Sequence, residues 1–155
     1  MTDMDADQYG SSALGAFDRE DLETAVKIST EGLSRFPDDA SLYRLRSTFF
    51  EAMKEFEKAI ADIKQFNRLQ SNNATALEYE GSLLAQAGDL LQAESAYTRS
   101  IKIRDDYALI YFHRGKIRLQ LGKTDEGIED LRRYLELQQV DDIEMKLKEL
   151  INALQ

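Results

Sequence analysis

The sequence predicts an all-α protein made of four helical hairpins and a terminal helix. Three observations predict it. Small residues recur at a spacing of 34 at two phases of the chain. Turn-forming residues return at matching places in the period. After Asp142 the apolar residues fall on a single helical stripe. A fixed period of this length marks an array of helix-turn-helix units.

The phase places units at 6–39, 40–73, 74–107 and 108–141, with no insertion or deletion. The eighth residue of each is Ala13, Ser47, Gly81 or Gly115, and the twentieth is Ala25, Ala59, Ala93 or Gly127. Small residues at both phases let the two helices of a hairpin approach closely, with large residues packed around the crossing. The fourth residue is Tyr9, Tyr43, Leu77 or Tyr111, a bulky group one turn earlier. Helices are expected over about 6–19, 22–35, 40–53, 57–70, 74–87, 91–104, 108–121 and 125–139.

Local signals follow the same phase. Pro37-Asp38-Asp39, Asn72-Asn73, Asp105-Asp106 and Asp141-Asp142 stand at unit boundaries. Asp and Asn there can accept from the free N–H groups of the following helix. Gly88-Asp89 and Gly122-Lys123-Thr124 stand where each hairpin turns, and Gly suits the residue past a helix end. In 142–154, Ile143, Leu147, Leu150, Ile151 and Leu154 form one stripe, and Asp141 and Glu144 are spaced like a charged capping box. Glu144, Lys146, Lys148 and Glu149 lie off it. A repeat array leaves its last apolar face open, so this segment reads as a capping helix; a helix that docks on a partner is the alternative.

Composition narrows function. A formal net charge of -9 disfavours nucleic acid and membrane surfaces as partners. There is no Cys, so disulfide, thiol and Cys-zinc chemistry is excluded. The start, MTDMDADQYG, has no apolar core and does not read as a secretory signal. No apolar run approaches the roughly 20 residues of a membrane span. A cytoplasmic location is expected. The paired Asp residues lack the spacing of a calcium loop, so no metal or other cofactor is expected. His113 is the only histidine and no nucleophile context accompanies it, so catalysis is not expected.

The phases resemble the tetratricopeptide repeat family over residues 6–141. The strongest unit carries Leu77, Gly81, Leu84, Gly88, Ala93, Tyr97 and Ile103. The resemblance implies one domain over 1–155, a right-handed α-α superhelix of four hairpins closed by 142–154. It implies a non-catalytic protein-binding scaffold that holds a peptide or helix of another protein in a concave groove. The family's inner surface comes from the first helix of each unit. Here that surface would show Arg44, Leu45, Thr48, Glu78, Tyr79, Ser82, Phe112, His113 and Lys116. One branch grips a carboxyl-terminal tail with Lys and Asn; Gly10, Leu14, Leu45, Thr75 and Tyr79 stand at those phases, so that clamp is absent. Weak similarity to type III secretion chaperones keeps a client-holding chaperone as an alternative, and a weakly self-associating structural module as another.

Arg46, Glu80 and Arg114 share the seventh phase, where the family prefers Leu. Their alternating signs predict an ionic ladder across neighbouring first helices.

Overall fold

The computed structural model describes residues 4–154. Among these residues there are nine helices and no strand. They are α1 (Ala6–Phe17), α2 (Leu22–Arg35), α3 (Ala40–Ala52), α4 (Phe56–Leu69), α5 (Ala74–Gln86), α6 (Leu90–Ile103), α7 (Ala108–Gln120), α8 (Thr124–Leu137) and α9 (Ile143–Leu154). The chain divides after Asn72 into two units. The first holds the hairpins α1–α2 and α3–α4. The second holds α5–α6, α7–α8 and then α9.

Side chains set the helix starts. Asp39 accepts from Leu42 N–H at 2.9 Å and Asn73 from Ala76 N–H at 3.0 Å. Asp5 and Gln8 form a reciprocal capping box. One expected cap fails and another shifts by a residue. Tyr107, not Asp105 or Asp106, precedes α7, and its side chain makes no cap. The Asp105 carbonyl instead accepts from the Tyr111 hydroxyl at 3.1 Å. At α9 the cap is Asp142, one residue later than the Asp141 box, accepting from Met145 N–H at 3.1 Å.

All four hairpins turn through a left-handed residue at the fifteenth phase. Gly88 and Gly122 have φ of 85° and 76°. Glu20 and Lys54 adopt the same conformation, at 63° and 60°, without glycine's freedom.

The small residues lie at the helix crossings. The Ser47 hydroxyl donates to the Ala59 carbonyl at 2.8 Å, joining the eighth and twentieth phases directly. A Cβ on Gly115 would come within 3.0 Å of the Gly127 carbonyl oxygen. A Cβ on Gly81 would press on the Tyr97 ring at 2.8 Å, so the missing side chain seats that ring. In the first hairpin Ser29 and Gly32 leave space that larger side chains fill: a Cβ on Gly32 would meet Tyr9 and Leu42, each at 2.9 Å.

Each unit has its own core. In the first, Phe49 is buried against Ala13, Ala16 and Ala25, with the Phe17 ring 5.2 Å away. In the second, Leu131 and Leu135 of α8 meet Leu147 of α9. Burying each such side chain stabilises by about 1.5–3 kcal/mol. Ile143, Leu150, Ile151 and Leu154 pack around them, while Glu144, Lys146, Lys148 and Glu149 face solvent.

Candidate functional site

The predicted positions on α3, α5 and α7 are all exposed or half-buried. On α3, Arg44 is exposed, and Leu45 and Thr48 are half-buried. On α5 the half-buried residues are Glu78, Tyr79 and Ser82. On α7 they are Phe112 and His113, with Lys116 exposed. These are the nine positions of the sequence reading, and they divide between the two units.

Several also serve the core. Leu45 packs on the Phe49 cluster. Thr48 donates to the Arg44 carbonyl at 3.2 Å within its own helix. Phe112 lies against Tyr134 of α8, ring centres 5.4 Å apart, and belongs to the cluster that α9 completes.

The electrostatics of these positions follow from burial. Burial pushes the Glu78 carboxyl up, and the field of Arg104 only partly opposes it. Burial holds the His113 imidazole below its ordinary range, assisted by the nearby Lys116 charge. Tyr97, buried under Gly81, is pushed up to about 12, first by burial and then by Glu78. Its ring stacks on His113 at 6.0 Å, and Phe112 meets His113 edge-on at 5.6 Å. Tyr97 is the floor of this surface. Its spacing four residues beyond Ala93 marked it as a repeat residue; its place under the site is set by Gly81.

Beyond Lys116 there is an open cavity of about 500 Å³, lined by Leu119, Ile128, Ile151 and Leu154. Among the described residues no cluster of three or more His, Asp or Glu could hold a metal ion. No helix among them is long and apolar enough to cross a membrane.

The expected ladder of Arg46, Glu80 and Arg114 is replaced by pairs within each hairpin. Arg46 donates to Asp62 through Nε at 2.7 Å and a terminal nitrogen at 2.8 Å. Arg114 does the same to Asp130, at 2.9 and 2.7 Å. Glu80 pairs with Arg99 at 2.8 Å. The second helix supplies the countercharge because Asp62 and Asp130 share the twenty-third phase, whereas Ala96 holds that phase beside Glu80. Arg118 adds a bridge from Asp130 to Glu94, both at 2.9 Å.

Antiparallel helix pairs at a period of 34, crossing at small residues, define a helical-repeat protein. Residues 108–141 match the tetratricopeptide repeat model. The chain carries a tetratricopeptide repeat there, and its fold is tetratricopeptide-repeat-like. It is 32% identical over 123 residues to DnaJ homolog subfamily C member 3 of Mus musculus, across 79% of this chain and 24% of that protein. It thus spans about a quarter of that relative's length. A crystal structure of MamA protein aligns with a TM-score of 0.80 at 20% identity, covering 86% of this chain and 73% of that one. The first TPR of Spaghetti (RPAP3) bound to the HSP90 peptide SRMEEVD aligns with a TM-score of 0.63 at 21% identity, covering 74% and 92%. The fold is one typical of protein–protein interaction.

Proposed function

We propose that this chain is a non-catalytic, cytoplasmic protein-binding module that holds a peptide or helix of a partner in a concave groove. The proposed contacts are Arg44, Leu45 and Thr48 on α3, Glu78, Tyr79 and Ser82 on α5, and Phe112, His113 and Lys116 on α7. The observation that carries the reading is on the second unit: half-buried Glu78, Tyr79, Phe112 and His113 and exposed Lys116 on the first helices, with Lys116 lining a cavity that Leu119, Ile128, Ile151 and Leu154 share. Rigid aromatics bury large area at low entropic cost, and a few polar groups fix orientation. The similar structure that holds an HSP90 peptide supports the same use of the fold.

The chemistry of these residues supports binding over catalysis. His113 is neutral near pH 7, stacks on Tyr97, and has no carboxylate bonded to it among the described residues. A base without an orienting partner and a nucleophile lacks the parts of an acyl-transfer site.

The test is titration of a partner, identified by crosslinking and mass spectrometry, against Tyr79→Ala and Phe112→Ala. At least one variant should lose about 2 kcal/mol of binding while remaining helical by circular dichroism. Unchanged binding in both would move the ligand to another surface.

A further inference from the structure

Glu78 differs from the other shielded carboxylates of the second unit. Among the described residues there, each remaining buried or half-buried carboxylate has a donor. Glu80 accepts from Arg99 at 2.8 Å, Asp130 from Arg114 at 2.7 Å, and Glu94 from Arg118 at 2.9 Å. Asp89 accepts from Gln92 N–H at 3.1 Å. Glu78 is half-buried with no hydrogen-bond donor on its carboxylate; burial, partly opposed by the Arg104 charge, is what acts on it.

Its surroundings supply the field of Arg104 but no ion pair. Arg104 is exposed and lies over the Tyr107 ring at 4.6 Å, and it makes no ion pair with Glu78. His113, across the Tyr97 ring, is held neutral by burial. A partly desolvated charge without a donor is a cost to the free protein, and a ligand that brings a donor relieves it.

We infer that the second unit binds a segment in which an arginine or lysine is seated on Glu78. The inference rests on the groove reading above and names the chemistry of its ligand. The charge of Glu78 reaches the Tyr97 hydroxyl, and a guanidinium seated on Glu78 would meet that charge with a fork of donors. The net charge of -9 steers a cationic segment toward the protein. Such a ligand is opposite in charge to the acidic end of SRMEEVD.

The probe is a displayed library of random peptides about 12 residues long. It is selected separately on the parent, on Glu78→Lys and on Glu126→Lys. Glu126 is exposed at the start of α8, so its variant carries the same charge change away from the site. The parent and Glu126→Lys should enrich Arg or Lys, and Glu78→Lys should lose that preference. A synthetic peptide from the parent selection should bind Glu78→Gln about tenfold more weakly, with unchanged circular dichroism. The inference is overturned if the parent enriches acidic or neutral peptides, enriches nothing above background, or shares its basic motif with Glu78→Lys. Amide shifts separate the two readings. Acidic or neutral peptides that shift Ser82 and His113 would retain the groove and discard the basic ligand. Enriched peptides that shift neither residue would discard both.

Discussion

Replacing Asp130 by Asn should be the most damaging single-atom change in the second unit. Asp130 is 3% exposed and accepts three hydrogen bonds, two from Arg114 and one from Arg118. The two arginine side chains are only 11% and 18% exposed. Asn keeps the shape and removes the charge, and its amide group turns a donor toward one of the guanidiniums. Breaking a buried pair from one side costs about 3–5 kcal/mol because the partner stays desolvated. Both arginines keep some solvent and Arg118 keeps Glu94, so the lower end, about 3 kcal/mol, applies. Asp62→Asn is the comparison. It strands one arginine, Arg46, which still has the Thr30 hydroxyl at 3.1 Å and the Phe50 ring at 5.7 Å. About 1.5–2 kcal/mol follows there, the value of a charge-assisted bond. For a chain of 155 residues, 3 kcal/mol corresponds to about 10 °C in Tm. Thermal and urea unfolding followed by circular dichroism reads both variants. The reasoning is refuted if Asp130→Asn lies within about 0.5 kcal/mol of the parent, or costs no more than Asp62→Asn.

Four further outcomes are expected. Lys54→Gly should stabilise by about 0.5–1 kcal/mol, since φ of 60° suits glycine, and Gly88→Ala should cost a similar amount; a destabilised Lys54→Gly refutes this. Leu147→Ala should cost about 2–5 kcal/mol, while Met145→Ala, at a side chain 50% exposed, should be near neutral; equal effects would mean α9 is not held by its apolar stripe. His113 should titrate by proton NMR with a midpoint below 6.5; a depressed native value means stability is lost as pH falls through 6.5, and a midpoint at or above 6.5 contradicts its burial. Glu78 has a raised native value, so its ionisation weakens folding as pH rises above 4.5. Glu78→Gln should then be the more stable protein at pH 7, with the difference vanishing in acid; a less stable variant at pH 7 would mean the carboxylate has a partner.

The helices were legible because small residues recur at fixed phases, and Gly88 and Gly122 announced two turns. Glu20 and Lys54 gave no such signal, since neither residue type favours the conformation it adopts. The Arg46–Asp62 and Arg114–Asp130 pairs were missed for a geometric reason. Each joins residues 16 apart across a hairpin, whereas the ladder reading compared residues 34 apart on neighbouring first helices. That the nine positions are exposed or half-buried was legible from phase alone. The double use of Leu45 and Phe112 was not, because an apolar residue at an open phase can fold back onto its own core.

The latch has a longer wavelength than the helices. Arg46 donates to Thr30 and to Asp62, and Arg114 donates to Thr98 and to Asp130, so each latch joins three residues at intervals of 16. The second set follows the first by 68 residues, twice the helical period. Editing the array is therefore not free at every multiple of 34. Excising 74–107 would splice Lys64 into the place of Thr98, setting two cations against each other before Arg114. Excising 40–107 would splice in Thr30 and rebuild the latch intact. The natural letter of this chain's length is two hairpins, and a shortened version should be cut in whole letters.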